Sequence, residues 1–243
     1  MDALSNARIA VENSGEGMIP FTPPRARHSK TGESVEYVFD PKKKWFVLRA
    51  SYGRSEQAAD LLIDAKYYAY VAMRNDYRMV NGRVRKCLKE LIPNILFAYI
   101  EKDEIERLLS RRKEEPSPVP QLAQITTFYY NHFLVEEGKN PPLQIPESQM
   151  WSFIQITSSK DENIVFVNDR NLVHVKKDDF VNVKEGKFKN CFGKVIRVAG
   201  QQRVGLELAG FGWIATSYIP TAFLEIISKE DYENRLETIK NQN

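Results

Sequence analysis

Cysteine, histidine and long hydrophobic runs are all scarce in this chain, and each scarcity removes a class of function. Of 243 residues only two are cysteines, Cys87 and Cys191, too few for a disulfide framework and at no metal-ligand spacing. A reduced, cytoplasmic setting is the expectation that follows. The three histidines, His28, His132 and His174, have no companion ligands at zinc-like spacing, so neither a metal site nor a catalytic imidazole is expected. No apolar run approaches the roughly 20 residues that cross a bilayer. The N-terminus lacks the basic, apolar and small-residue order of a secretory signal. A soluble protein without a membrane partner is therefore expected. Charge of one sign is also missing: the formal balance is +3, so only its local distribution can inform. There is no glycine-rich phosphate loop, nucleophile elbow or dinucleotide fingerprint. An enzyme is the least supported class, and no catalytic residue or cofactor is expected.

What remains is an ordinary globular composition, 42% hydrophobic and 28% charged, with length enough for two modest domains. Residues 1–43 combine Gly15, Gly17, Pro20, Pro23 and Pro24 with scattered cations, which reads as a flexible tail. Order begins at Trp45 to Leu48, a fully apolar strand. Ser55 is placed to cap a helix whose inner face is Ala58, Leu61, Leu62 and Ala65. Asn81-Gly82 then signals a type I′ hairpin turn. Ile95 to Ile100 supply a buried strand, and Asp103 opens a second helix with Ile105, Leu108 and Leu109 inward. Three prolines in residues 114–120 make a surface loop. The stretch "ITTFYYNHF" is β-rich, and "IPESQMWSFIQI" is a third helix with Met150, Phe153 and Ile154 inside. Irregular alternation of strands and helices over residues 44–170 gives an α+β domain.

After a linker at 171–177 the pattern changes. Val181 and Val183, Val195 to Val198, then Val204, Leu206 and Leu208 are short alternating strands separated by glycines. Residues 178–228 are accordingly expected to form a small β-barrel, the closed answer to the problem of exposed edges. It is expected to fold alone from about residue 174. Residues 229–243 read as a polar tail.

Two local patterns suggest contact with other macromolecules. Around the Asn81-Gly82 turn stand Arg74, Arg78, Arg83, Arg85, Lys86 and Lys89 against one acid, Asp76, with Tyr77 among them. Clustered cations on a hairpin neutralise phosphates, and a tyrosine stacks on a base; a plain solvated face competes equally. Leu91, Ile92, Pro93, Ile95, Leu96 and Phe97 form an apolar series that must be covered on both sides or offer a patch to a partner. Alternation places Ile92 opposite Leu91 and Ile95.

The order of these parts resembles the NusG-type transcription elongation and antitermination factors. "WFVLRASYGRSEQAADLL" followed by "LIPNILFAYI" is similar to the N-terminal NGN domain of that family, with Asn94 where a glycine is usual. "DDFVNVKEGKFKNCFGKVIRVAG" is similar to its KOW motif: Gly186, Phe188, Gly193 and Val195 keep the spacing, and Asn190 replaces a common Gly or Asp. "FYYNHF…NPPLQIPESQMWSFI" and "SYIPTAFLEII" look most like the UpxY-type paralogues associated with capsular polysaccharide operons. The resemblance implies an antiparallel sheet with flanking helices followed by an SH3-like barrel. It implies docking on the clamp helices of the RNA polymerase β′ subunit through Trp45, Tyr52, Leu91, Ile92, Pro93, Ile95 and Phe97. The basic hairpin would meet non-template DNA or nascent RNA. The barrel would present Phe188, Phe211, Trp213 and Ile214 to a ribosomal protein or a termination factor, although Trp213 stands where housekeeping members often carry arginine. The implied protein is a monomeric, locus-specific antiterminator. The alternatives are a general elongation factor of the same family and a KOW-containing RNA-binding or ribosome-associated protein.

Overall fold

A computed structural model describes residues 27–168, 174–232 and 234. In chain order, the short strands β1 (Arg27–His28) and β2 (Ser34–Val35) pair with each other. Strand β3 (Lys44–Ala50), helix α1 (Ser55–Asp64) and strand β4 (Tyr68–Tyr70) follow. Then come β5 (Met73–Val80), β6 (Arg83–Glu90) and β7 (Ile95–Ile100). Two short helices, α2 (Lys102–Leu108) and α3 (Pro120–Ile125), lead to β8 (Thr126–Phe128), β9 (Gln144–Ile145) and helix α4 (Glu147–Ser158). The last strands are β10 (Val165–Val167), β11 (His174–Val183), β12 (Phe192–Val198), β13 (Gln201–Leu208), β14 (Gly212–Ala215) and β15 (Leu224–Ile227). The whole is mixed α+β with antiparallel pairing.

The first sheet runs β4-β7-β3-β8, with β9 also on β3. Strands β3 and β7 are apolar on both faces because both faces are covered. Phe46, Leu48, Leu96, Ala98 and Ile100 pack on α1, α2 and α3, whereas Trp45, Val47, Phe97 and Tyr99 pack toward α4. Helix α1 buries Ala58, Ala59, Leu62 and Ile63, not Leu61 and Ala65, and begins at Ser55 with Arg54 as its cap residue. The face is therefore turned by one position from the spacing expected: Ala59 and Ile63 complete the stripe on Ala58 and Leu62. Helix α3 is absent from the sequence reading. Pro120 sits at its first turn, where a missing N–H costs nothing.

Residues 27–43 are not the loose tail expected. Ser29 and Thr31 donate hydrogen bonds to the Asp64 carboxylate at 2.7 and 2.5 Å, and Glu33 pairs with Lys66. Tyr37 is buried among Trp45, Tyr68, Tyr99 and Trp151, stacked on the Trp45 ring at 6.1 Å. Tyr37, with Val35 and Phe39 packed beside the same core, gives this polar stretch an apolar fastening that composition averages away.

The second sheet has the order β10-β14-β13-β12-β11-β15. It does not close into the expected barrel: among the described residues β10 and β15 are its two ends, and no ladder joins them. Nor is it self-contained. Strand β10 comes from upstream of residue 171, and His174–Lys177, expected as linker, lie in β11. The apolar side of this sheet meets α4 and the first sheet, so Val181, Val204, Leu206, Phe211 and Ile214 share one core with Phe97, Met150 and Phe153. Packing against a neighbour covers the face that edge-to-edge closure would otherwise enclose. The expected fragment beginning at 174 would lose both β10 and that cover. At the turn before β12, Asn190 adopts φ +69°, a left-handed conformation that asparagine tolerates where the KOW pattern has Gly or Asp.

Candidate functional site

Among the described residues, strands β5 and β6 pair only with each other. They form a continuous ribbon from Met73↔Glu90 to Val80↔Arg83, closed by Asn81 and Gly82 at φ +50° and +71°, as a type I′ turn requires. The register sorts the side chains. Directly opposed residues share a face and successive residues alternate, so Arg74, Arg78, Arg83, Arg85 and Lys89 lie on one face with Asp76, Val80 and Cys87. The other face carries Met73, Asn75, Tyr77, Met79, Val84, Lys86, Leu88 and Glu90. Five of the six expected cations are therefore together, and Lys86 is apart from them.

The root and middle of this ribbon are fastened, the Tyr77 hydroxyl bonding the Glu162 carboxylate, whereas residues 78–86 are all exposed. Arg74 donates to the carbonyls of Glu162 and Ile164 at 3.5 and 3.4 Å, and the Asn75 N–H donates to the Lys160 carbonyl. Lys89 pairs with Asp76 at 3.6 Å. The Tyr77 N–H holds the Asp76 carboxyl below its ordinary range, with Lys89 and Arg74 adding to the effect. Arg78, Arg83, Arg85 and Lys86 make no ion pair among the described residues. Arg78 sits directly opposite Arg85, and like charges so placed repel unless an anion lies over them.

A second exposed feature lies at the end of β3. Asn94, at φ +62°, occupies the turn in a left-handed conformation open to both glycine and asparagine. Its carbonyl accepts from Ala50 N–H at 2.9 Å, its Oδ1 from Gly53 N–H at 2.7 Å, and its own N–H donates to the Glu90 carboxylate at 2.9 Å. Glycine could not supply the Oδ1 bond. Asn94 thus ties the Pro93 turn to the loop carrying Tyr52. Tyr52 is itself left-handed at φ +52° and 92% exposed, with the Arg54 guanidinium 5.9 Å from its ring. A bulky residue held in this conformation costs on the order of 1–3 kcal/mol, strain that concentrates at functional sites.

Of the seven residues expected to dock polymerase, only Tyr52 and Pro93 are exposed. Trp45 is 1% exposed and Phe97 fully buried. Phe97 is covered by Phe153 and by Phe211 of the second sheet, at ring distances of 5.1 and 6.0 Å. Leu91, Ile92 and Ile95 are buried in the same core cluster. Strand alternation fails for Ile92 because β7 begins only at Ile95, after the turn.

The four barrel residues are also inside. Phe188 and Ile214 are buried, and Trp213 packs with Val167, Ile196 and Ala215. Phe211 is a plug between the sheets, 4.9 Å from Phe166 and 5.2 Å from Tyr129. Polar contacts flank it. Ala209 N–H donates to Gln149 Oε1 at 2.8 Å, and Arg203 to the Asn163 carbonyl at 2.6 Å. Asp161 receives Lys187 and the Ser217 hydroxyl.

Two features escaped sequence reading. Loop 129–143 is ordered by Asn131 and Asn140, whose side-chain amide donates to the carbonyls of Asn131 and Leu134, leaving Phe133 and Val135 exposed. Glu147, with Oε1 buried and unbonded among the described residues, has its carboxyl pushed up to about 7 by burial. No group of three or more His, Cys, Asp or Glu among the described residues could hold a metal ion, and no described helix is long and apolar enough to cross a membrane.

Residues 43–154 match the NusG family, described as transcription termination factor nusG. The matched segment takes in the first sheet, the ribbon, the Asn94 junction and most of α4, and supports a NusG-type factor acting in transcription elongation or termination. A comparison with curated proteins gives no match.

Proposed function

We propose that this chain is a transcription regulator that binds RNA polymerase and suppresses pausing or premature termination, specialised for a locus such as a capsular polysaccharide operon. The observation that carries this reading is the family match over the segment that presents the strained, exposed Tyr52. Tyr52 and Pro93 make the contact with the β′ clamp helices. Trp45, Leu91, Ile92, Ile95 and Phe97 support that surface from beneath, and the cationic face of the ribbon lies on non-template DNA or nascent RNA. The second sheet is a KOW-type module held against the first, and its contact with a ribosomal protein would use residues other than the buried Phe188, Phe211, Trp213 and Ile214.

No bond is made or broken in this action. A protein that touches both sides of the polymerase cleft favours the closed state by its differential affinity for the two. A difference of about 1.4 kcal/mol shifts that equilibrium tenfold. The test is capture of purified polymerase by wild-type protein and by Tyr52→Ala. Because Tyr52 is exposed, the variant should melt within about 1 °C of wild type while binding polymerase roughly tenfold more weakly. Equal binding by both proteins would remove Tyr52 from the interface, and no binding by wild type would refute the reading.

A further inference from the structure

Among the described residues the first sheet ends at β8, and the outer edge of that strand is open. Arg49 stands opposite Thr127; the flanking bonds run from Ser51 N–H to the Ile125 carbonyl and from Tyr129 N–H to the Val47 carbonyl. Bonded pairs alternate along an antiparallel ladder, so Thr126 and Phe128 turn their backbone groups away from β3. The Arg111 guanidinium donates to the Thr126 carbonyl at 3.2 Å. The Phe128 N–H and C=O have no hydrogen-bond partner among the described residues. They border a groove of about 1210 Å³, walled by α2 with residues 110–118 on one side and by loop 129–143 on the other. The Thr126 hydroxyl, buried at the same floor, is also without a partner.

The walls are uneven in charge once their internal partners are set against one another. Arg111 is committed to the carbonyls of Ala123 and Thr126, Arg107 to Glu104, and Arg112 to Glu115. That leaves Asp103 and Glu106 on one wall and Glu136 and Glu137 on the other, against Lys102 and Lys139. The floor adds the rings of Phe128 and Tyr130, 6.2 Å apart, with Tyr130 45% exposed. Acids beside an open aromatic face attract a cation.

We propose that a basic, extended peptide segment of a partner protein binds in this groove by adding a strand to β8. Its backbone pairs with the open Phe128 groups, and its lysines or arginines meet the four acids and the Tyr130 ring. Acids on both walls repel a polyanion, which excludes nucleic acid as the occupant. The edge lies between two projecting loops, which leaves room for one strand and not for the sheet of a second copy. An unpaired edge is otherwise a liability, and here the walls restrict what can pair with it.

The probe is a blocked peptide of alternating lysine and valine, about nine residues and so about 30 Å long when extended. A peptide of alternating glutamate and valine is the control. Each is titrated into the full chain while amide exchange at Phe128 is followed by isotope-edited NMR. Wild type should bind the lysine peptide at least roughly tenfold more tightly than the glutamate peptide, and the Phe128 N–H should become protected only in the bound state. Glu106→Gln, Glu136→Gln and Glu137→Gln combined, all at exposed positions, should keep wild-type melting. That variant should bind the lysine peptide roughly tenfold more weakly, as the loss of three exposed ion pairs implies. Equal binding of the two peptides by wild type, or undiminished binding by the triple variant, would overturn the proposal. Binding without protection of Phe128 would also overturn it, reducing the contact to loose charge attraction. A Phe128 amide already protected without peptide would overturn it too. That result would assign the groove to the chain itself or, where protection rises with protein concentration, to a second copy.

Discussion

Phe211→Ala should lower the melting temperature of the whole protein, and by more than a surface change could. The ring touches Phe97, Tyr129 and Phe166, and so belongs to both sheets at once. Removing it leaves a cavity at their junction, which costs about 3–5 kcal/mol for a buried phenylalanine. For a chain of this size that corresponds to a fall of roughly 6–20 °C. Because one core runs through Phe97, Phe153, Phe211 and Ile214, the wild-type protein should melt in a single transition, read alike by far-ultraviolet circular dichroism and tryptophan fluorescence. A fall under about 2 °C, or two separate wild-type transitions, would show that the sheets are energetically independent.

Replacing Arg78, Arg83 and Arg85 together with alanine should leave folding intact and remove most nucleic-acid affinity. These three share the cationic face at the free end of the ribbon, beyond the Arg74 anchor and the Lys89–Asp76 pair within the ribbon. Loss of three charge-assisted phosphate contacts should weaken binding on the order of 100-fold. The dependence of log affinity on log salt should flatten by roughly 2–3, because fewer counterions are released. Melting should be unchanged or slightly raised, since the opposed Arg78–Arg85 pair is relieved. Lys86→Ala, on the other face, should change affinity much less. Unchanged affinity and salt slope in the triple variant would return this face to plain solvation.

How far the sequence disclosed all this depends on the range of the signal. The Asn81-Gly82 hairpin and the Ile95–Ile100 strand were legible because turn chemistry and a fully apolar run act within a few residues. The separation of the arginines from Lys86 was latent in the same stretch and needed only the register. Other features depend on contacts distant in sequence. Tyr37 orders the arm through Trp45 and Trp151, and Phe211 is covered from another sheet. The strand alternation that suggested a closed barrel was real, but alternation says which side is covered and not what covers it. Here the cover is α4 and the first sheet, so residues read as a partner surface lie inside. Asn94 illustrates the middle case: its tolerance of left-handed backbone was readable, whereas its bond to Gly53 required the fold.

The central claim is that this protein acts by holding polymerase in its productive state, and the lifetime of a defined pause measures that directly. In transcription with purified polymerase and a template carrying such a pause, wild-type protein should shorten the pause several-fold, as a bias of about 1 kcal/mol implies. Tyr52→Ala at the same concentration should leave it close to the protein-free value. A pause lifetime unaffected by saturating wild-type protein, on a template carrying its own locus, would contradict the account.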